Sequence, residues 1–101
     1  MSDGVLEVAI LNVIPSQEAK FELAFAEAKT IIASMDGYRG HELQRCIETP
    51  NQYILLVRWR TLADHTEGFR HSDEYQRWKS LLHDFYDPFP TVEHYLPVSE
   101  G

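Results

Sequence analysis

Gln52 to His71 reads QYILLVRWRTLADHTEGFRH, and the rest of the chain can be placed around it. Tyr53-Ile54-Leu55-Leu56-Val57-Arg58-Trp59 predicts a β-strand that is apolar on both faces for most of its length. A strand covered on both sides belongs in the middle of a sheet. Thr61 ends it and predicts a helix start, because its hydroxyl can accept a hydrogen bond from a free N–H of the first turn. Asp64, three positions on, suits the positive end of that helix. Leu62, His65 and Phe69 then share one helical face. A histidine pointing with apolar residues is the least ordinary feature of the sequence.

Upstream, Val5 to Ile14 is the first strand, with Leu6, Val8, Ile10, Asn12 and Ile14 on one face. Val5, Glu7, Ala9, Leu11 and Val13 occupy the other. Pro15-Ser16 stops it, and Ser16 is placed to cap a helix over 19–35. Phe21, Ala24, Phe25, Ala28, Ile31, Ile32 and Met35 form that helix's core stripe. Gly37 stands where a helix end needs a left-handed residue. Gly40 to Glu48 alternates weakly and is polar, as an edge strand would be. Thr49-Pro50-Asn51-Gln52 is a turn, so strands two and three form a hairpin.

Downstream, Ser72 or Asp73 caps a helix over Glu74 to Phe85, whose buried stripe is Tyr75, Trp78, Leu81, Leu82 and Phe85. Asp87-Pro88-Phe89-Pro90 ends it, since proline cannot continue a helix. Thr91 to Leu96 is the last strand, with Val92, His94 and Leu96 on one face.

The order β-α-β-β-α-β is the ferredoxin-like α+β arrangement, an antiparallel sheet with helices on one face. The second sheet face then lies open although strands one and three are apolar on both sides. A soluble chain rarely exposes so large an apolar surface. A second copy of the chain, a ligand or both should cover it.

The 101 residues suggest one domain, spanning 1–101. A net charge of −7, from 9 basic and 16 acidic residues, argues against nucleic acid as a partner. No apolar run approaches the ~20 residues of a membrane span. The start, MSDGVLEV, has no basic stretch leading into an apolar one and predicts no signal peptide. One cysteine, Cys46, cannot make an internal disulfide, and the expected location is the cytoplasm.

The run Trp59-Arg60-Thr61, His65, Phe69-Arg70, Ser72, Tyr75, Trp78, Phe85, Pro90 and Val92-Glu93-His94-Tyr95 resembles the antibiotic biosynthesis monooxygenase family, of the dimeric α+β barrel superfamily. The resemblance covers nearly the whole chain. It implies a homodimer in which each protomer's sheet packs on its partner's through the open face. It also implies a ligand cavity between sheet and helices. Similar domains include quinol monooxygenases, cofactor-independent oxygenases of aromatic polyketides and haem-degrading enzymes. The last group uses an asparagine on the first strand, a tryptophan on the short helix and a histidine on the last helix. Asn12 fits the first, but the tryptophan position falls near Phe69 and the histidine position near Lys79 or His83. Two of three parts depart from that pattern.

The expected function is therefore a cofactor-independent monooxygenase of a small aromatic or quinol-type compound. The alternative is a non-catalytic dimeric binding or interaction module. No G-x-G-x-x-G or P-loop is present, so no nucleotide or flavin motif argues for an organic cofactor. His65 reads as a general base or orienting donor, or else as a core histidine bonded to backbone or to a carboxylate. His94 reads as its companion on the last strand. The two could begin a metal site, but no third ligand stands at a sensible spacing, so no metal is expected. Asn12 reads as an oxyanion donor or as a tie to a neighbouring strand. Trp59, Phe69 and Trp78 are candidate substrate-binding residues, and the two tryptophans read first as core aromatics. Cys46 has no adjacent base that would make it a nucleophile.

Overall fold

The computed structural model describes residues 4–101. Strands β1 (Val5–Asn12), β2 (Tyr38–Arg45), β3 (Gln52–Trp59) and β4 (Val92–Tyr95) form one antiparallel sheet in the order β2-β3-β1-β4. Helices α1 (Glu18–Ala33) and α2 (Asp73–Leu82) pack on one face. A π-helical segment (Asp64–Phe69) precedes α2, and a 3-10 turn (His83–Phe85) follows it. This is the ferredoxin-like α+β order that the sequence predicts, with β3 central and β2 at an edge.

Pairing decides which face of each strand is buried. Antiparallel partners share a face, and the register sets Val5 opposite Trp59, Glu7 opposite Val57, Ala9 opposite Leu55 and Leu11 opposite Tyr53. All of these but Val5 are buried, and Phe21, Phe25, Ala28 and Ile32 of α1 and Trp78 and Leu82 of α2 close over them. The other face carries Leu6, Val8, Ile10 and Asn12 of β1 with Ile54 and Leu56 of β3. Ile10 there is 39% exposed.

Local chemistry explains most element ends. Ser72 caps α2, its Oγ accepting from the Tyr75 N–H at 3.1 Å. Gly37, at φ +86°, makes the left-handed turn out of α1. Thr61 and Asp64 bond reciprocally: Thr61 Oγ1 accepts from the Asp64 N–H at 3.1 Å, and Asp64 Oδ2 from the Thr61 N–H at 3.0 Å.

Three expectations need correction. Ser16 does not cap α1; it sits at φ +72°, and Gln17 occupies the cap position without a side-chain bond. The helix predicted over Glu74 to Phe85 tightens to 3-10 geometry at His83. Leu62 is 47% exposed and leaves the face that His65 and Phe69 share. The π-helical turn is wider than an α-turn, so the four-residue spacing of His65 and Phe69 keeps both inward while Leu62 rotates out.

Candidate active site

A cavity of about 380 Å³ lies between the sheet and the helices, within the range of small-molecule sites. Phe69, Tyr75, Trp78, Tyr86 and Phe89 give it aromatic walls, and Ala9, Leu11, Leu55 and Val92 an aliphatic floor. Phe69 and Trp78 meet edge-to-face, with centroids 5.7 Å apart and planes at 79°. Its polar lining groups are Glu7, His65, Arg70 and His83.

Glu7 is the feature that residue-by-residue reading misses. β1 turns it toward the helices, where it is 5% exposed. Trp59 sits diagonally across on β3, and its indole N–H donates to Glu7 Oε1 at 2.9 Å. That bond favours the carboxylate, but burial outweighs it and pushes the Glu7 carboxyl up from 4.5 to about 7. The second carboxyl oxygen, Oε2, has no protein partner among the described residues, yet no buried side-chain oxygen is left unsatisfied. Oε2 therefore opens to the cavity that Glu7 lines. The sequence carries only half of the signal, on β3; the register that turns Glu7 inward is decided in the fold. Arg58 marks the outer face of β3, which sends Trp59 inward, and antiparallel pairing then carries Glu7 inward with it.

The sheet places His94 of β4 directly opposite Glu7 of β1. The π-helical segment lays His65 over both. His65 Nδ1 is 2.8 Å from His94 Nε2, and His65 Nε2 is 3.3 Å from Glu7 Oε1. The His65 ring stacks on Trp59, with centroids 5.3 Å apart and planes at 20°. Burial, and then the positive charges of Arg70 and His94, push His65 down to about 3. Burial followed by Arg70 also lowers His94. Near neutrality both rings are thus uncharged, and Glu7 is the group poised to exchange a proton.

The candidate residues divide accordingly. His65 points inward as predicted and has a carboxylate neighbour, one of the two companions that its core reading named. His94 joins it. Asn12 does not: it lies on the opposite face of β1 from Glu7, so the strand pleat keeps it away from the cavity, and its backbone carbonyl accepts from the Asp87 N–H at 2.8 Å. Phe69 and Trp78 line the cavity, whereas Trp59 does not. With 0% exposure Trp59 cannot touch a ligand there, and its place is behind Glu7. Among the described residues no group of three His, Cys, Asp or Glu is arranged to hold a metal. His65 meets Glu7 and His94 through opposite ring nitrogens, so the three donors do not converge on one point.

Arg70 completes the electrostatics. It lines the cavity, and among the described residues no carboxylate pairs with its guanidinium. Its charge acts on Glu7, His65 and His94 alike, favouring an anion in their midst. No helix among the described residues is long and apolar enough to cross a membrane.

Comparison with known proteins bears directly on this arrangement. The family model described as "Antibiotic biosynthesis monooxygenase" matches residues 4–81. YczJ of Bacillus subtilis (strain 168), an uncharacterised protein, is 55% identical over 94 residues, covering 93% of this chain and 99% of YczJ. A candidate antibiotic biosynthesis monooxygenase of Bordetella bronchiseptica has a solved structure that superposes with a TM-score of 0.90 at 34% identity, covering 95% of this chain and 98% of that one. SnoaB of Streptomyces nogalater, a cofactor-independent oxygenase, shares the fold with a TM-score of 0.74 at 22% identity, covering 99% and 96%. The match of the family model over most of the chain, with the Bordetella likeness at matching fold, shows that this chain belongs to the antibiotic biosynthesis monooxygenase family.

Proposed function

We propose that the chain is a cofactor-independent monooxygenase of a small aromatic compound bearing an ionisable hydroxyl or an activated CH2, such as a hydroquinone or an anthrone. The observation that carries this reading is the Glu7 carboxyl, buried, raised to about 7 and open to an aromatic-walled cavity. A base poised near the working pH removes a proton most effectively. Glu7 Oε2 takes the substrate proton, and Arg70 balances the anion left behind. His65 takes the role of an orienting group for Glu7 rather than of the base, since a ring lowered to about 3 cannot retain a proton near neutrality.

The electron-rich anion then reduces oxygen, and the two combine as a peroxide. The peroxide loses water after Glu7 returns its proton. In total the substrate loses two hydrogens and gains one oxygen atom, and the other oxygen leaves as water. All four electrons come from the substrate, so no flavin, haem or metal is needed for the balance. The cavity holds the anion away from solvent while this happens.

The reading extends to the assembly. The open face built from Leu6, Val8, Ile10, Ile54 and Leu56 supports a homodimer joined sheet to sheet. The single cysteine, Cys46, suits a reducing compartment, and we place the protein in the cytoplasm.

Oxygen uptake with a panel of hydroquinones and anthrones tests the proposal. The wild type should consume oxygen with at least one of them, rising with pH to a plateau above about 7. Glu7→Gln should lose roughly 10²–10⁴-fold of that rate, the usual contribution of a positioned base. Binding of the same compounds without any uptake would instead establish a non-catalytic binding module.

A further inference from the structure

The cluster behind the cavity contains more than a base needs. Glu7 alone could accept a substrate proton, and Trp59 alone could hold its carboxyl. Two imidazoles nevertheless continue the line from Glu7 toward the surface. His65 is sealed at 3% exposure, whereas His94 is half-buried. His94 Nδ1 has no protein partner among the described residues and is not a buried unsatisfied atom, so it meets solvent.

We propose that Glu7 exchanges its proton with bulk water through His65 and His94, by a switch of both imidazole tautomers in which neither ring becomes charged. Two proton arrangements satisfy the contacts. With Glu7 ionised, His65 Nε2–H faces Glu7 Oε1, His94 Nε2–H donates to His65 Nδ1, and His94 Nδ1 accepts from water. With Glu7 protonated on Oε1, every hydrogen sits one place inward: Oε1–H faces His65 Nε2, His65 Nδ1–H donates to His94 Nε2, and His94 Nδ1–H donates to water. The second becomes the first when three protons each move one step. Oε1–H passes to His65 Nε2, His65 Nδ1–H to His94 Nε2, and His94 Nδ1–H to water. One proton leaves, one negative charge appears on Glu7, and no other group changes charge.

Three features favour this route. Each histidine is entered and left through different nitrogens, as a relay requires. The outer link, at 2.8 Å, is a short hydrogen bond. The inner contact, at 3.3 Å, lies just beyond the usual range, and roughly 0.3 Å of carboxyl movement brings it to the common distance. Arg70 disfavours an imidazolium at either ring, so concerted neutral transfer outcompetes a step through a charged histidine. The other groups facing the cluster are Tyr75 from α2, His83 from the 3-10 turn and Tyr86 beyond it, all across the cavity. Trp59 on β3 offers Oε1 its indole N–H in both states.

The path leaves the cavity from behind, so Glu7 can ionise while a ligand fills the space in front of it. That use rests on the oxygenase reading; the path itself rests only on the cluster. The decisive measurement needs neither substrate nor turnover. Long-range ¹H–¹⁵N NMR on histidine-labelled wild type reads the tautomer of each ring. His65 and His94 should both carry hydrogen on Nδ1 at low pH and on Nε2 at high pH, switching at one shared midpoint near Glu7's value of about 7. In Glu7→Gln that switch should be lost. Tautomers that stay fixed across this range, or a ring that turns to imidazolium at the midpoint, would overturn the relay whatever the enzyme does with oxygen. A second, anaerobic experiment follows the Glu7 carboxyl by infrared after a pH jump, with a hydroquinone occupying the cavity. The wild type should show a fast phase of carboxyl ionisation, and His94→Leu should lose it. Equal rates in both proteins would overturn it as well.

Discussion

Glu7→Gln should make the protein more stable at high pH and leave it little changed at low pH. The amide that replaces the carboxyl keeps an acceptor for the Trp59 indole but never ionises. In the wild type the folded-state pKa, about 7, lies above the ordinary 4.5 because burial resists the charge. The protonated carboxyl therefore contributes fully below 4.5, and its contribution is lost as pH rises from 4.5 to about 7. Each pH unit in that window is worth ~1.4 kcal/mol, so the loss amounts to about 3 kcal/mol. His65 works the other way. Its pKa falls from 6.5 to about 3, so its contribution is present above 6.5 and lost as pH falls. Between 4.5 and 6.5 the two slopes oppose one another, and the wild-type curve alone would hide both. The difference between wild type and Glu7→Gln removes the His65 contribution. Urea unfolding of both proteins, at one fixed protein concentration and from about pH 4 to 9, gives that difference. The same pair in a His65→Gln background repeats it with the imidazole absent. Parallel stability curves would refute the reasoning, since they would mean that Glu7 ionises alike in the folded and unfolded chain.

Other consequences can be checked in the same way. Trp78→Ala should cost about 3–5 kcal/mol, because Trp78 is 7% exposed and packs on Phe25 and Phe69; a loss of less than ~1 kcal/mol in denaturant melts would move it from core to cavity rim. Gly37→Ala should cost more than Gly40→Ala by thermal melt. Both positions have positive φ, but only at Gly37 would the new methyl run into the Asp64 carboxyl. The proposed homodimer should persist at micromolar concentration in equilibrium sedimentation, and a folded monomer there would count against it.

Much of this protein is legible in its sequence because local rules are followed. The two-sided apolar run Tyr53 to Trp59 is the strand beside β1 in the sheet interior, Gly37 makes the predicted left-handed turn, and Ser72 caps α2. His65 stands out because an imidazole at apolar spacing needs a reason. Its partner is not legible. A strand's two-residue period offers two faces, and on β1 the face with Leu6, Val8 and Ile10 is the more apolar one. Sequence alone gives no reason to bury a glutamate in preference to it. The choice is made by pairing with β3, whose Tyr53, Leu55, Val57 and Trp59 supply the large core side chains and take Glu7 inside with them. The same pairing leaves Asn12 outside. The π-helical turn is equally hidden, since one extra residue in a turn leaves no periodic trace in so short a segment, yet it sets His65 over Glu7 and His94. Glu7, His65 and His94 stand on three separate elements. Only the folded chain makes them a site, because cross-strand register and a widened turn bring Glu7 within 3.3 Å of His65 and His65 within 2.8 Å of His94.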